Sequence, residues 1–397
     1  MAELSTPLAA SGSLLRRFPR LIVAATVALL FAGGGLLLHA EHQGQVIALL
    51  GAFVLVFALA DRVAVGRTVI ALCRAHQGTV NLVAAFSILA VIAVFREEHY
   101  TLLMMATVAL FATACAGLNL QMAFAGVPNF AGAAFFAVGA YTAAVLGKVG
   151  VPHLLILASA GLVAGILGLA MLLPVLRTRG HYAALVTIAF GLLMRSFLEV
   201  NDTFGGPQGM KVPGFNLFGL SFNRLNEIGP FDVSFYLPYA VAGCVLFALA
   251  FVLVRRLEMS WVGIALDAVR SDEVAASVFG LSIARWKAVA FLIGNAIIGV
   301  AGALYGMMNG FVNPNSANFG DSLMMLSIIV LGGMGNLWGA VGAAMVILVI
   351  PEKLQAIQEY RLIIFALLVI AILRFRPSGM LPRAPRDLSS LFKGGAS

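Results

Sequence analysis

Of the 397 residues, 61% are hydrophobic and 11% charged, and the mean hydropathy is +1.01; this balance excludes a soluble globular domain and puts the bulk of the chain in a membrane. The net charge of +8 raises the question of nucleic acid, which the distribution of basic residues answers below. Cys73, Cys115 and Cys244 have no C-x-x-C spacing, which argues against a disulfide framework, metal and thiol chemistry.

In chain order, a polar tail with Arg16, Arg17 and Arg20 precedes the apolar run 21–38. The run is longer than a signal-peptide core and Leu-His-Ala before Glu41 is a poor cleavage site, so a retained first span is expected. Further spans are expected at 46–60, 80–95, 101–120, 132–147, 154–175 and 182–200. After a loop at 201–232 come 233–254, 288–308, a longer apolar stretch 323–350, and 362–373.

Charge in the connections gives an orientation. With the N-terminus inside, eighteen of the 25 basic residues lie in the two tails, the 61–78 loop, the Arg177 and Arg179 turn, and the stretch 255–287. Six lie on the opposite side, and Arg195 falls within a span. This positive-inside pattern accounts for the basic charge without nucleic acid. It closes only if 323–350 enters and leaves on one side, bent at Gly332-Gly333-Met334-Gly335-Asn336. The expected fold is therefore an all-α polytopic membrane protein with about ten transmembrane helices plus a broken, re-entrant-type hairpin.

The stretch 255–287 carries nine charged residues in 33, so it belongs in water between two spans. Ser271 as N-cap, Asp272 and Glu273 in the first turn, and Gly280 as a left-handed stop predict a short helix. About two turns are marginal alone in water, so this helix needs a surface or a partner. An ordinary solvated loop with one helical turn is the alternative.

Two glycine-rich breaks resemble each other. AGVPNFAGAA at 125–134 and GGMGNLWGAV at 332–341 match at Gly126/Gly333, Asn129/Asn336, Phe130/Leu337 and Gly132/Gly339, a constant offset of 207. Inverted repeats place interrupted helices at equivalent positions, where small residues let backbones approach; coincidence among 42 glycines is the alternative.

No catalytic constellation is present. The six histidines lie at span ends or in loops without ligand spacing, which suits interfacial anchors and leaves no metal site. Arg195 and Glu199, one helical turn apart, suit a structural ion pair. There is no run of buried acids for a proton relay and no G-x-x-x-x-G-K-[ST] loop for ATP.

The segment ALDAVRSDEVAASVFGLSIARWKAVAF, 265–291, resembles the cytoplasmic coupling loop of LivM-type permease subunits of branched-chain amino-acid ABC importers. The resemblance continues in GLNL (117–120), GAAFFAVGAYTAAVL (132–146), GGPQG (205–209), AGALYG (301–306), GFVNP (310–314), IIVLGGMGNLWGAVGAA (328–344) and EYRLIIFALLVIAILRFRPSGMLP (359–382). It implies a permease domain over 80–385, preceded by an extension at 1–79 with two transmembrane helices and followed by a cytoplasmic tail at 386–397.

It also implies a non-enzymatic inner-membrane subunit, with both termini cytoplasmic, that forms the path with a homologous permease. The other partners implied are membrane lipid, a periplasmic binding protein and two cytoplasmic ATPase subunits, which carry ATP and Mg; this chain binds no cofactor. Contact with the ATPase is expected at Arg270, Glu273, Ala276 and Gly280, and the translocation path at Asn119, Asn129 and Asn336. Gly126, Gly132, Gly333 and Gly339 are expected to be structural.

Where relatives carry Ser-Leu-Gly-His this chain has Asn129-Phe130-Ala131-Gly132, and where they carry Phe-Gly-Glu it has Phe190-Gly191-Leu192. Urea, amides and aromatic acids therefore stay open beside leucine, isoleucine and valine. A secondary transporter without ATPase subunits, or a non-transporting scaffold, is the reading from another class.

Overall fold

The computed structural model describes residues 18–40, 75–178, 181–217, 220–222 and 234–353, with isolated positions elsewhere that include 359–360, 379–381 and 383. The spans expected at 46–60 and 362–373, and most of both tails, lie outside the described residues. The chain divides into two compact units, residues 1–104 with 349–358, and residues 105–348 with 359–397.

In the first unit, α1 (Pro19–His39) packs on α2 (Gln77–Val94), with Gly35 against Val91 and Phe95. The carboxylate of Glu98 joins His39 at 2.8 Å and accepts from Thr101 at 2.7 Å.

The second unit holds the longer bundle. α3 (His99–Asn119) runs into it and continues as a π-helical turn, Leu120–Phe124. There follow α4 (Gly132–Lys148), α5 (His153–Leu176), α6 (His181–Val200), α7 (Leu237–Glu258), α8 (Trp261–Ser271), α9 (Glu273–Val278), α10 (Ile283–Asn309), α11 (Phe319–Gly332) and α12 (Leu337–Lys353). Among the described residues seven helices are long and apolar enough to cross a membrane, and α4 and α11 are shorter apolar helices. Helices are the expected form, because a chain in hydrocarbon must satisfy its backbone internally.

α10 is the axis of this unit, packed between α4 and α5. The contact depends on small residues, as membrane helices require when water does not drive association. A Cβ on Gly139 of α4 would lie 1.9 Å from the Gly299 carbonyl, and one on Gly302 would lie 1.9 Å from that of Phe136. α4 is buried from Gly132 through Tyr141, so little of it faces lipid.

Two strand pairs were not expected from the sequence. β1 (Met210–Lys211) pairs antiparallel with β4 (Phe311–Val312), Met210 opposite Val312, and β2 (Asn216–Leu217) pairs with β3 (Leu220–Ser221). The first pair ties the 201–232 loop to the end of α10, leaving no room for a side chain at Gly209, whose Cβ would meet the Val312 carbonyl at 2.2 Å.

Candidate functional site

The two glycine breaks use the same local chemistry. Gly126 and Gly333 both have positive φ, +70° and +102°, a region that favours glycine. Three residues on, each break has an asparagine whose Oδ1 accepts the backbone N–H two residues further along. Asn129 accepts from Ala131 at 2.8 Å, and Asn336 from Trp338 at 3.0 Å and Gly339 at 3.2 Å. Asn336 thus caps the start of α12 and satisfies donors that a helix leaves open, while Asn129 turns the chain just before Ala131, the N-cap of α4. A single short stretch of α3 reaches both breaks: Asn119 Oδ1 accepts from Gly335 N–H at 2.8 Å, and Gln121 Oε1 accepts from Asn129 Nδ2 at 2.6 Å.

At the first break the amides form a cluster. Asn129 Nδ2 also donates to Asn295 Oδ1 of α10, at 3.4 Å. Asn119, Gln121 and Asn295 are fully buried and Asn129 is 2% exposed. Yet Asn119 Nδ2, Gln121 Nε2 and Asn295 Nδ2 have no protein hydrogen-bond partner. Each such group costs about 1 to 3 kcal/mol, so three in one region is a concentration that packing alone does not explain. The π turn beneath them is itself a departure from regular helix of the kind found at functional sites.

The charged stretch 255–287 holds two short helices, one more than expected. α8 is amphipathic, burying Gly263, Ala265, Leu266 and Val269. Ser271 ends α8, and the N-cap of α9 is Asp272, whose Oδ1 accepts from Val274 N–H at 2.8 Å and Ala275 N–H at 3.0 Å. Asp272 wins because its extended backbone aims a carboxylate at the α9 donors, while Ser271 is still helical. α9 ends in a Schellman motif: Leu281 N–H donates to Ala276 O and Gly280 N–H to Ser277 O, both at 3.0 Å, with Gly280 at φ +79°.

The four residues expected at the ATPase contact are placed in different ways. Arg270 turns inward and donates through Nη1 to the Ala123 carbonyl in the π turn, its stem packed over Gly126. Ala276 is 4% exposed and faces the protein. Glu273 is exposed and pairs with Lys287 at 2.6 Å, and Gly280 is the exposed stop. The open face of α9 is instead apolar, with Val274, Val278 and Phe279 exposed by 74%, 79% and 86%.

A strap from the C-terminal side joins these parts. Met380 N–H donates to Leu331 O at 2.8 Å and Leu381 N–H to Gly332 O at 3.1 Å, holding the end of α11. Arg383 then forks onto Asp267 of α8 at 3.0 and 3.3 Å, donates to the buried Glu258 at 3.1 Å, and lies over the Phe124 ring. A paired guanidinium is what makes burial of Glu258 tolerable.

Arg195 takes a partner other than Glu199. Its Nη2 donates to Asn315 Oδ1 at 3.1 Å, joining α6 to the turn that follows β4. Among the described residues no group of three or more His, Cys, Asp or Glu is placed to hold a metal ion. Sequence reasoning missed Gln121, Asn295 and Arg383. Polar residues inside the otherwise apolar spans around 120 and 295 were a usable signal for the first two; nothing local marks Arg383.

Comparison with known proteins adds a family. Residues 100–373 match the family described as branched-chain amino acid transport system, permease component. The chain is 36% identical over 296 residues to the high-affinity branched-chain amino acid transport system permease protein LivM of Escherichia coli (strain K12), covering 71% of this chain and 69% of that protein. Against LivM of Salmonella typhimurium it is 36% identical over 281 residues, 67% of this chain and 66% of that protein. Against LivH of Escherichia coli (strain K12) it is 27% identical over 292 residues, 69% of this chain and 91% of that protein. No solved structure matches the chain.

Proposed function

The chain belongs to the family of branched-chain amino acid transport permease components, and from that premise we propose that it forms one half of the membrane path of an ATP-driven importer of leucine, isoleucine and valine. It is a multi-pass inner-membrane transporter subunit rather than an enzyme. A homologous permease completes the path, a periplasmic binding protein delivers substrate, and two cytoplasmic ATPase subunits hold ATP and Mg. Both termini and the 255–287 stretch face the cytoplasm, in accord with eighteen of 25 basic residues on that side.

The observation that carries the coupling role is the exposed apolar face of α9, Val274, Val278 and Phe279, on a helix capped at both ends and projecting from a charged stretch. A surface of that kind outside the bilayer fits a protein groove. On this reading α9 is the docking helix, and its working face is Val274, Val278 and Phe279 in place of Glu273 and Ala276. Glu273 and Gly280 flank that face. Arg270 serves as the link inward, carrying movement of α8 and α9 to the π turn at Ala123 and so to the path at Asn119, Asn129 and Asn336.

Purification from the native membrane should bring down two copies of an ATPase; their absence would remove the class. Val278→Asp leaves the fold intact, since the side chain is exposed, and lowers binding-protein-stimulated ATPase activity and leucine uptake at least roughly tenfold. Wild-type values for both would end the docking assignment. Ser271→Cys should resist an impermeant thiol reagent in intact cells, and labelling from outside would invert the topology.

A further inference from the structure

The polarity of the amide cluster at the first break is fixed by one backbone group. Ala131 N–H can only donate, so the Asn129 group facing it at 2.8 Å is the oxygen. Asn129 then presents its NH2 to Gln121 and Asn295, at 2.6 and 3.4 Å, and both of these must answer with their oxygens. Each of the three amide oxygens accepts one hydrogen bond, while Gln121 Nε2 and Asn295 Nδ2 are left buried and unpartnered. The unmet hydrogen bonding of the cluster is therefore on the donor side.

Building on the importer reading, we propose that Gln121, Asn129 and Asn295 form a carboxylate subsite on the translocation path, seen here in its closed state. Two NH2 groups offer four N–H donors, and a carboxylate offers about four lone-pair sites. The atoms left without a partner are donors, so the cluster favours an acid. The start of α4 lies immediately beyond Asn129, and its dipole adds positive potential on the same side.

The surroundings show how the site is shut. A Cβ on Gly168 of α5 would lie 2.0 Å from Asn295 Nδ2, and one on Gly294 would lie 2.5 Å from Gln121 Nε2. The two surplus groups are thus pressed against helix backbone at glycines. Parting α10 from α5 or from the π turn uncovers them. The inward contact of Arg270 with Ala123 lies within the same π turn as Gln121, so a pull on α8 acts directly on the subsite. Substrate then supplies the acceptors that the closed state lacks.

The test uses the full chain in its assembled complex in nanodiscs, with asparagine and glutamine side chains carrying 15N and [1-13C]leucine as the probe. Carbon–nitrogen dipolar recoupling should dephase the leucine carboxylate signal in the wild type, with the effect roughly halved in Gln121→Ala and again in Asn295→Ala. Leucine that binds without such dephasing overturns the subsite. In cells, the near-isosteric Gln121→Glu and Asn295→Asp replace donors by like charge and should lower leucine uptake at least roughly tenfold, with membrane amounts checked by immunoblot. Should either acidic variant fail to insert, the alanine variants decide by recoupling. Wild-type uptake by both inserted acidic variants overturns this inference alone, whereas no leucine uptake by the wild-type complex overturns the importer reading and this inference with it.

Discussion

The breaks at 125–134 and 332–341 begin with the same chemistry and end in opposite physical states. Each has a glycine at positive φ and an asparagine whose Oδ1 accepts from the backbone N–H two residues on. The second break is closely packed, with one buried donor, Asn119 Nδ2, left without a partner beside it. Gly332 and Gly339 sit backbone to backbone, and Met380 and Leu381 are held along it by two main-chain hydrogen bonds. The first is polar and under-satisfied, with a π turn, a buried amide cluster and surplus donors. A repeated local motif therefore sets where a helix restarts. The neighbours decide whether that point is a fixed pivot or a place that opens, because closed hydrogen bonds resist separation and orphan donors favour it.

The largest expected effect tests the pivot. Gly339→Leu puts a Cβ 1.9 Å from the Gly332 carbonyl, where only backbone can yield, and should cost about 3 kcal/mol or more. The protein should largely disappear from the membrane fraction; normal amounts and transport would show that the second break tolerates opening. Arg383→Ala leaves Glu258 with Arg255 as its guanidinium partner and removes the fork on Asp267, and should cost about 2 to 3 kcal/mol. Thermal unfolding in detergent should show it, with Arg383→Lys rescuing only part because a lysine lacks the fork.

Smaller effects are expected at the first break. Asn129→Leu removes the partner of Gln121, Asn295 and Ala131 together and should cost about 2 kcal/mol. Uptake should fall further than stability accounts for, and equal losses in both would make Asn129 a structural bridge and nothing more. Gly132→Leu should be mildest, about 1 kcal/mol, because its Cβ would meet the end of the Leu118 side chain at 2.8 Å, and that end can move. If Gly132→Leu proves as damaging as Gly339→Leu, the contrast between the breaks is lost.

Much of this was legible in the chain. Hydropathy set the membrane class and predicted nine segments to within a few residues of the observed helices, from α1 to the interrupted pair α11 and α12, because desolvating a charge dominates every other local term. Glycine and asparagine at a constant offset gave the two breaks, since positive φ and helix capping are local demands. Gly280 was readable as a stop for the same reason. What only the tertiary structure decided is direction. Arg270 turns to Ala123, Ala276 turns inward and leaves Val278 outside, Arg195 chooses Asn315 over Glu199, and Asn129 meets Asn295 across 166 positions of chain. Each depends on which neighbouring helix lies within about 3 Å of a side chain. In uniformly apolar helices no periodic stripe announces that face, so it is settled by where small residues let backbones close together.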